Sequence, residues 1–184
     1  MNNKNAIRAE MKARRKAMPI AERNGKSDAI FHNIISSELI KNADTVMCYM
    51  SAFGEPSTSL FIERLTKSGK RIVLPVTDPE SGMITPSYFT GELGRGAFGI
   101  REPLPCMVAD IADIDVIIVP GIAFDRRGGR IGFGKGCYDR LLCNFGGVII
   151  GVCYDFQLID EIPRGEHDID MDLIITETGV YHDF

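Results

Sequence analysis

No run of about 18 uncharged apolar residues occurs in this sequence, so no membrane-spanning helix is expected. Residues 1–16 are polar and basic with no apolar centre, and do not read as a secretory leader. There is no C-x-x-C pair, and the five cysteines are odd in number. Several sit in apolar runs, so buried, reduced thiols of a cytoplasmic protein are expected, without a disulfide framework or a zinc site. No charge of one sign dominates: 21 Lys and Arg against 25 Asp and Glu leave a net charge of −4, which argues against non-specific binding to nucleic acid. No Ser-His-Asp or Cys-His arrangement offers a protein nucleophile. Repeats, low-complexity tracts and linkers are missing too, which leaves 184 residues, 45% hydrophobic, as one expected domain over 1–184.

The apolar pattern then sets the order of elements. Ile7, Met11, Arg14 and Met18 recur at helical spacing, predicting a helix over about Asn5 to Ala17. A second helix carries Ile30, Phe31, Ile34 and Ile35 on one face. Thr45 to Met50 and Arg71 to Pro75 read as strands around a helix, Thr58 to Ser68, capped by Ser57 or Thr58 and stopped by Gly69. This is a βαβ unit and implies parallel strands. Residues 78–105 read as an irregular excursion with one strand, Ile84 to Phe89. Val116 to Val119 is a continuous apolar run, as a central strand buried on both faces requires. A helix with Tyr138, Leu141, Leu142 and Phe145 facing inward follows, then strands Val148 to Tyr154 and Leu173 to Thr176. The expected fold class is α/β, a three-layer α/β/α domain around a mainly parallel sheet.

The segment Pro120 to Asp139 is the most informative. It leaves the C-terminal end of a buried strand, where open α/β sheets bind ligands. Gly132, Gly134 and Gly136 alternate just before a helix, so backbone N–H groups can converge on an anion, aided by the helix N-terminus. Arg130 and Lys135 bracket the turn with full charges. The loop matches most of a Walker A pattern from Gly129 to Lys135, but Gly136 stands where Ser or Thr would ligate Mg²⁺. A dinucleotide G-x-G-x-x-G pattern fails at Cys137. Composition alone supports a flexible turn with solvated cations as readily as a polyphosphate cradle.

Residues 130–139, preceded by residues 120–125, resemble the signature of the 5-formyltetrahydrofolate cyclo-ligase family. Lys4-x-x-x-Arg8, residues 98–103 and Glu166-His167-Asp168 agree in order, so the resemblance spans nearly the whole chain. It implies a fold similar to the sugar-phosphate isomerase and CoA-transferase-like group. The implied reaction uses ATP and Mg²⁺ to convert 5-formyltetrahydrofolate into 5,10-methenyltetrahydrofolate, with release of ADP and phosphate. By resemblance, Lys135, Arg130 and Tyr138 serve catalysis. Lys4, Arg8, Arg130, Gly132, Gly134, Lys135, Gly136, Cys137 and Tyr138 hold ATP. Arg8, Met50, Glu55, Phe133, Gly134, Lys135, Gly136 and Cys137 contact the folate, and Asp139 and Asp168 hold the metal. The family has a second tyrosine where this chain has Cys137. The expected partners are small molecules, with neither nucleic acid nor membrane, and the expected state is a monomer, a weak homo-oligomer being the alternative.

Read on their own chemistry, these residues allow plainer roles. Lys4 and Arg8 are one helical turn apart and form an exposed basic pair unless their helix docks over the site. Asp168, Asp170 and Asp172 would share one face of a strand. Asp139 could simply complement a helix dipole. Glu55 could be a polar turn residue, Met50 a core residue, and Phe98 and Ile100 either pocket lining or loop anchors. His167 reads as structural or as a support for a residue that contacts ligand. Competing functions are an ATP-dependent kinase or ligase for another small acceptor, an ATP-independent isomerase or transferase of related fold, and a non-catalytic nucleotide or folate sensor.

Overall fold

A computed structural model describes residues 4–181, so both ends of the 1–184 span lie outside it. Three helices come first: α1 (Lys4–Ala17), α2 (Ile20–Ser36) and α3 (Glu38–Asn42). The first strand, β1 (Thr45–Met47), is followed by α4 (Ser59–Lys67) and β2 (Arg71–Thr77). Next come β3 (Ile84–Tyr88), β4 (Leu93–Arg95), β5 (Arg101–Pro103) and β6 (Val116–Pro120). Then β7 (Ala123–Asp125) and β8 (Arg130–Ile131) lead into α5 (Cys137–Leu142). The chain closes with β9 (Val148–Val152), β10 (Leu158–Ile159), β11 (Leu173–Ile175) and β12 (Val180–Tyr181).

Seven strands form the central sheet in the order β12-β11-β9-β6-β1-β2-β3. The five inner strands are mutually parallel, while β12 and β3 pair antiparallel at the edges. The continuous apolar run of β6 places it in the middle, as expected of a strand covered on both faces. One face carries Val46, Ile72, Leu74, Ile118 and Val152 against α2, α3 and α4, where Phe31 and Phe61 stack at 4.6 Å. The other carries Met47, Val73, Ile117, Val119 and Ile174 against Leu142 of α5, Phe124 and Met171. A smaller cluster of Ile7, Met11, Ile122, Ala123, Ile131 and Ile162 fastens α1 beside the sheet. Among the described residues, no helix is long and apolar enough to cross a membrane.

The sequence and the structure differ in several places. The buried stripe of α1 runs Ile7, Met11, Arg15, not through Arg14; the i+4 step from Met11 lands on Arg15, and Arg14 lies outside against the Phe156 ring. Thr58 holds the N-cap position of α4, but its hydroxyl accepts from Ser51 N–H and does not cap the helix. The β4–β5 and β7–β8 hairpins occupy stretches that read as irregular. Residues 168–172 do not form a strand: Asp168 pairs with Lys4, Asp170 with Arg164, and Asp172 accepts from Ile149 N–H. The three carboxylates thus serve three separate tasks instead of sharing a face. All five cysteines are free, but only Cys48 and Cys153, in the sheet layer, are buried; Cys106 and Cys143 lie on the surface and Cys137 is partly exposed.

Candidate active site

The parallel strands β1 and β6 lie side by side, Met47 opposite Ile117, and the chain leaves the C-terminal ends of both at the same edge of the sheet. A cavity of about 930 Å³ opens there, large enough for two substrates of modest size. It is walled by α1, by the loop after β1, by β2 and β3, by residues 98–102, by the glycine loop and by Asp168. Every residue named from the sequence as a site candidate lines it: Lys4, Arg8, Met50, Glu55, Arg130, Gly132, Phe133, Gly134, Lys135, Gly136, Cys137, Tyr138, Asp139 and Asp168.

The glycine loop owes its shape to the hairpin beneath it. The fully buried Asp125 carboxylate accepts from the N–H groups of Arg127, Gly129 and Ile162 and meets Arg164. That fixes β7 and β8 and hence the exit of the loop. Gly134 (φ 104°) and Gly136 (φ 64°) take left-handed conformations that side chains resist. A Cβ on Gly134 would lie 3.6 Å from the Arg8 guanidinium, an ordinary contact, so it is the backbone conformation and not the space that asks for glycine there. The helix that follows, α5, has only six residues, so its dipole adds little and the cationic side chains carry the field.

Those cations are held in different ways. Arg130, 8% exposed, donates to Asp139 at 2.7 Å and lies 5.6 Å from the Tyr138 ring centre. Lys135 is exposed, with its ammonium 4.4 Å from the centre of the Phe98 ring and no carboxylate at ion-pair distance among the described residues. Lys4 meets Asp168 at 2.5 Å, and Arg8 donates to Gly132 O at 2.9 Å and to Asn5 at 2.7 Å. The docking of α1 on this pocket therefore exists, and Lys4 and Arg8 are not a solvated pair. Burial opposes the charge of Asp168, but the Lys4 ammonium and the Gly165 N–H outweigh it and hold its carboxyl below the usual range. Burial pushes the Tyr138 hydroxyl well up, so it stays neutral.

Glu55 is the most deeply buried carboxylate of the cavity wall. It is 6% exposed, has no ion-pair partner among the described residues, and accepts from Ala52 N–H at 3.0 Å. Burial raises it to about 7, against the pull of the Ala52 N–H and of Arg15. A plain turn residue would not be sunk this way. Phe98 (φ 57°) and Phe53 (φ 51°) sit at the mouth with left-handed backbones, which bulky residues rarely adopt. Their exposed rings neighbour Lys135 and Phe133 respectively. His167 is exposed and away from the lining.

Sequence reasoning missed Arg15, Tyr49, Lys12, Phe53 and Thr77, which also line the cavity. The signal for Lys12 and Arg15 was present, since Lys4, Arg8, Lys12 and Arg15 follow the helical repeat from one basic residue to the next. Nothing marks Thr77, which reaches the cavity only because β2 runs past Pro75. As for a metal, no group of three His, Cys, Asp or Glu side chains gathers among the described residues. Asp139 and Asp168 are the two acidic residues of the expected metal pair, and both face the cavity.

The chain matches the model of the 5-formyltetrahydrofolate cyclo-ligase family over residues 1–177. It is 34% identical over 183 residues to the 5-formyltetrahydrofolate cyclo-ligase of Mycolicibacterium smegmatis, covering 95% of this chain and 93% of that one. It is 35% identical over 147 residues to the Escherichia coli protein of the same name, covering 76% and 81% of the two chains. Its fold superposes on the 5,10-methenyltetrahydrofolate synthetase of Aquifex aeolicus with a TM-score of 0.87 at 35% identity, covering 97% of this chain and 92% of that one. The fold of the Mycoplasma pneumoniae synthetase is also shared, with a TM-score of 0.78 at 24% identity, covering 96% and 99%.

Proposed function

The chain belongs to the 5-formyltetrahydrofolate cyclo-ligase family, a family of ligases, and from that membership we propose that it closes the one-carbon ring of 5-formyltetrahydrofolate to give 5,10-methenyltetrahydrofolate, using ATP and Mg²⁺ and releasing ADP and phosphate. One observation carries the reading: the cationic glycine loop and the sunken Glu55 carboxylate line the same cavity. Such a site offers cations to a nucleotide and a carboxylate acceptor to the N–H donors of a reduced folate.

The chemistry explains why both are needed. A formamide carbon is a poor electrophile, because nitrogen donates into the carbonyl, and its oxygen leaves poorly. In the proposed route the formyl oxygen attacks the γ-phosphorus of ATP and ADP leaves, giving an imidate-like phosphate. The folate N10 then attacks the activated carbon, and the C–O bond breaks with release of phosphate. Phosphoryl transfer asks chiefly for alignment and for compensation of spreading negative charge. Lys135 brings an ammonium with no carboxylate at ion-pair distance among the described residues, and the loop N–H groups around Gly134 and Gly136 add donors. Arg130, oriented by Asp139 and by Pro120 O, holds a fixed guanidinium beside them. Lys4 and Arg8 approach from α1 on the nucleotide side. Tyr138 supplies a neutral hydroxyl and an aromatic wall, and Met50 and Phe133 supply apolar surface for the folate. The sequence replaces one family tyrosine by Cys137, a smaller contact at that position.

Asp139 and Asp168 fit Mg²⁺, which takes hard oxygen donors and is usually held by one or two carboxylates together with substrate phosphates rather than by a protein cage. When bound, the ion neutralises charge on the phosphate oxygens. The five free cysteines support a reducing, cytoplasmic setting. The test is the ultraviolet absorbance of the methenyl product, with 5-formyltetrahydrofolate and with ATP and Mg²⁺ added or withheld. Product formed only when all three are present is the expected result; no product, or product without ATP, removes the proposal. In the same assay, Asp139→Asn is expected to lower turnover, with partial recovery as Mg²⁺ is raised. A loss indifferent to Mg²⁺ would leave Asp139 as the partner of Arg130 only.

A further inference from the structure

Arg15 is the least expected residue of the cavity wall. It comes from the buried stripe of α1, is 1% exposed, and sits where an aliphatic residue would satisfy the helical pattern. Its Nη2 donates to Gly121 O, while Nε and Nη1 are buried with no hydrogen-bond partner among the described residues. Holding a guanidinium out of water with two unused donors is expensive. Nor is the bond to Gly121 a sufficient reason for it, because the same carbonyl already accepts from Gln157 Nε2 at 3.2 Å. The spare donors therefore point to a group that arrives with a ligand.

The surroundings select the ligand's chemistry. Arg15 shares its part of the wall with Glu55, and the 52–55 turn lies against it: a Cβ on Gly54 would be 3.4 Å from Arg15 Cβ. A phosphate placed there would meet the Glu55 carboxylate as a like charge, and phosphates have Lys135 and the loop. A neutral group with an acceptor beside two donors suits the pair better. The pteridine head of a folate has such an edge, with the 4-oxo oxygen next to N3–H and the 2-amino group. Resting on the folate reading above, we propose that Arg15 donates from an unpartnered N–H group to the 4-oxo oxygen while Glu55 accepts from N3–H and the 2-amino group, so that together they select a 4-oxo over a 4-amino pteridine. Arg15 is then a specificity-determining residue, and Glu55 alone is half of the recognition device.

The experiment measures binding of 5-formyltetrahydrofolate and of its 4-amino-4-deoxy counterpart to the full chain, with ATP binding followed in parallel. The wild type is expected to prefer the 4-oxo head by about 10–100-fold, the effect of leaving one buried donor unmatched. Arg15→Met keeps the stem but removes the donors. It is expected to weaken the 4-oxo compound, to strengthen the 4-amino compound relative to the wild type, and to leave ATP affinity within about twofold. A gain for the 4-amino head is the decisive sign, since mere loss of structure cannot produce it. Equal weakening of both heads overturns the proposal. Should Arg15→Met fail to fold, Arg15→Lys decides: it keeps the charge with a single donor group and is expected to shrink the preference, whereas an unchanged preference is fatal. A wild type that binds ATP and both heads equally well overturns the inference but spares the folate reading. One that binds ATP and neither head overturns both.

Discussion

Replacing Lys135 with alanine is expected to lower ATP-dependent formation of the methenyl product by at least about 100–1,000-fold, the usual cost of removing one pre-placed group that stabilises transition-state charge. The fold should survive, because Lys135 is exposed and its described neighbour is the Phe98 ring at the mouth, 4.4 Å away. Arg130 cannot replace it, being tied to Asp139 and to the end of β6. The loss should fall mainly on kcat, since the spreading charge of phosphoryl transfer exists only in the transition state. Circular dichroism and a melting curve matching the wild type, with turnover near normal, would remove Lys135 from the phosphate site.

The second large effect belongs to Glu55. Its carboxyl, raised by burial to about 7, is protonated in the free protein below that pH and cannot then accept two N–H groups. For 5-formyltetrahydrofolate, kcat/KM is expected to rise about tenfold per pH unit below 7 and to level off above it, because this ratio reports groups of the free enzyme. Glu55→Gln should flatten that limb and lower the plateau by about 100-fold, the cost of one charged hydrogen-bond partner and one mismatched donor. Stability moves the other way. The folded protein keeps its proton where the unfolded chain, with an ordinary carboxyl near 4.5, has lost it. Wild-type stability therefore declines as pH climbs from about 4.5 to 7, and the glutamine variant is spared. Glu55→Gln is expected to melt higher than the wild type at pH 8, with the difference gone near pH 4.5. A variant that melts lower at pH 8 and keeps the acid limb would show that another group titrates.

The legible parts of the molecule were those with a strong local signal. The apolar run of β6 announced the middle of the sheet, and the glycine-rich segment with its cations led directly to the cavity wall. The hairpins were not legible: β7 and β8 have three and two residues, too short for periodicity, and are held largely by the buried Asp125. The edge strand β3 was visible as a strand, but its antiparallel pairing with β2 depends on the turn at residues 78–83 and not on its own composition. For the three aspartates from 168 to 172, alternation suggested a strand where no neighbouring strand was available to pair. Arg15 was lost because the stripe was stepped three residues from Met11 to Arg14, whereas the four-residue step lands on Arg15 and places it inside. A fully buried cation is rare enough that pattern reading discounts it, and the cost of that rarity is why it matters at a site.

The Lys4–Asp168 contact joins residues 164 positions apart in the chain. The cluster that seats α1 likewise needs Ile131 and Ile162 from the far half of the sequence. On the ribosome, then, the first helix emerges with nothing to settle against, and the sheet's first βαβ unit can assemble while that helix waits. The ligand chamber is among the last features to take shape, and a growing chain halted before residue 162 would hold several strands yet have no complete room for a substrate.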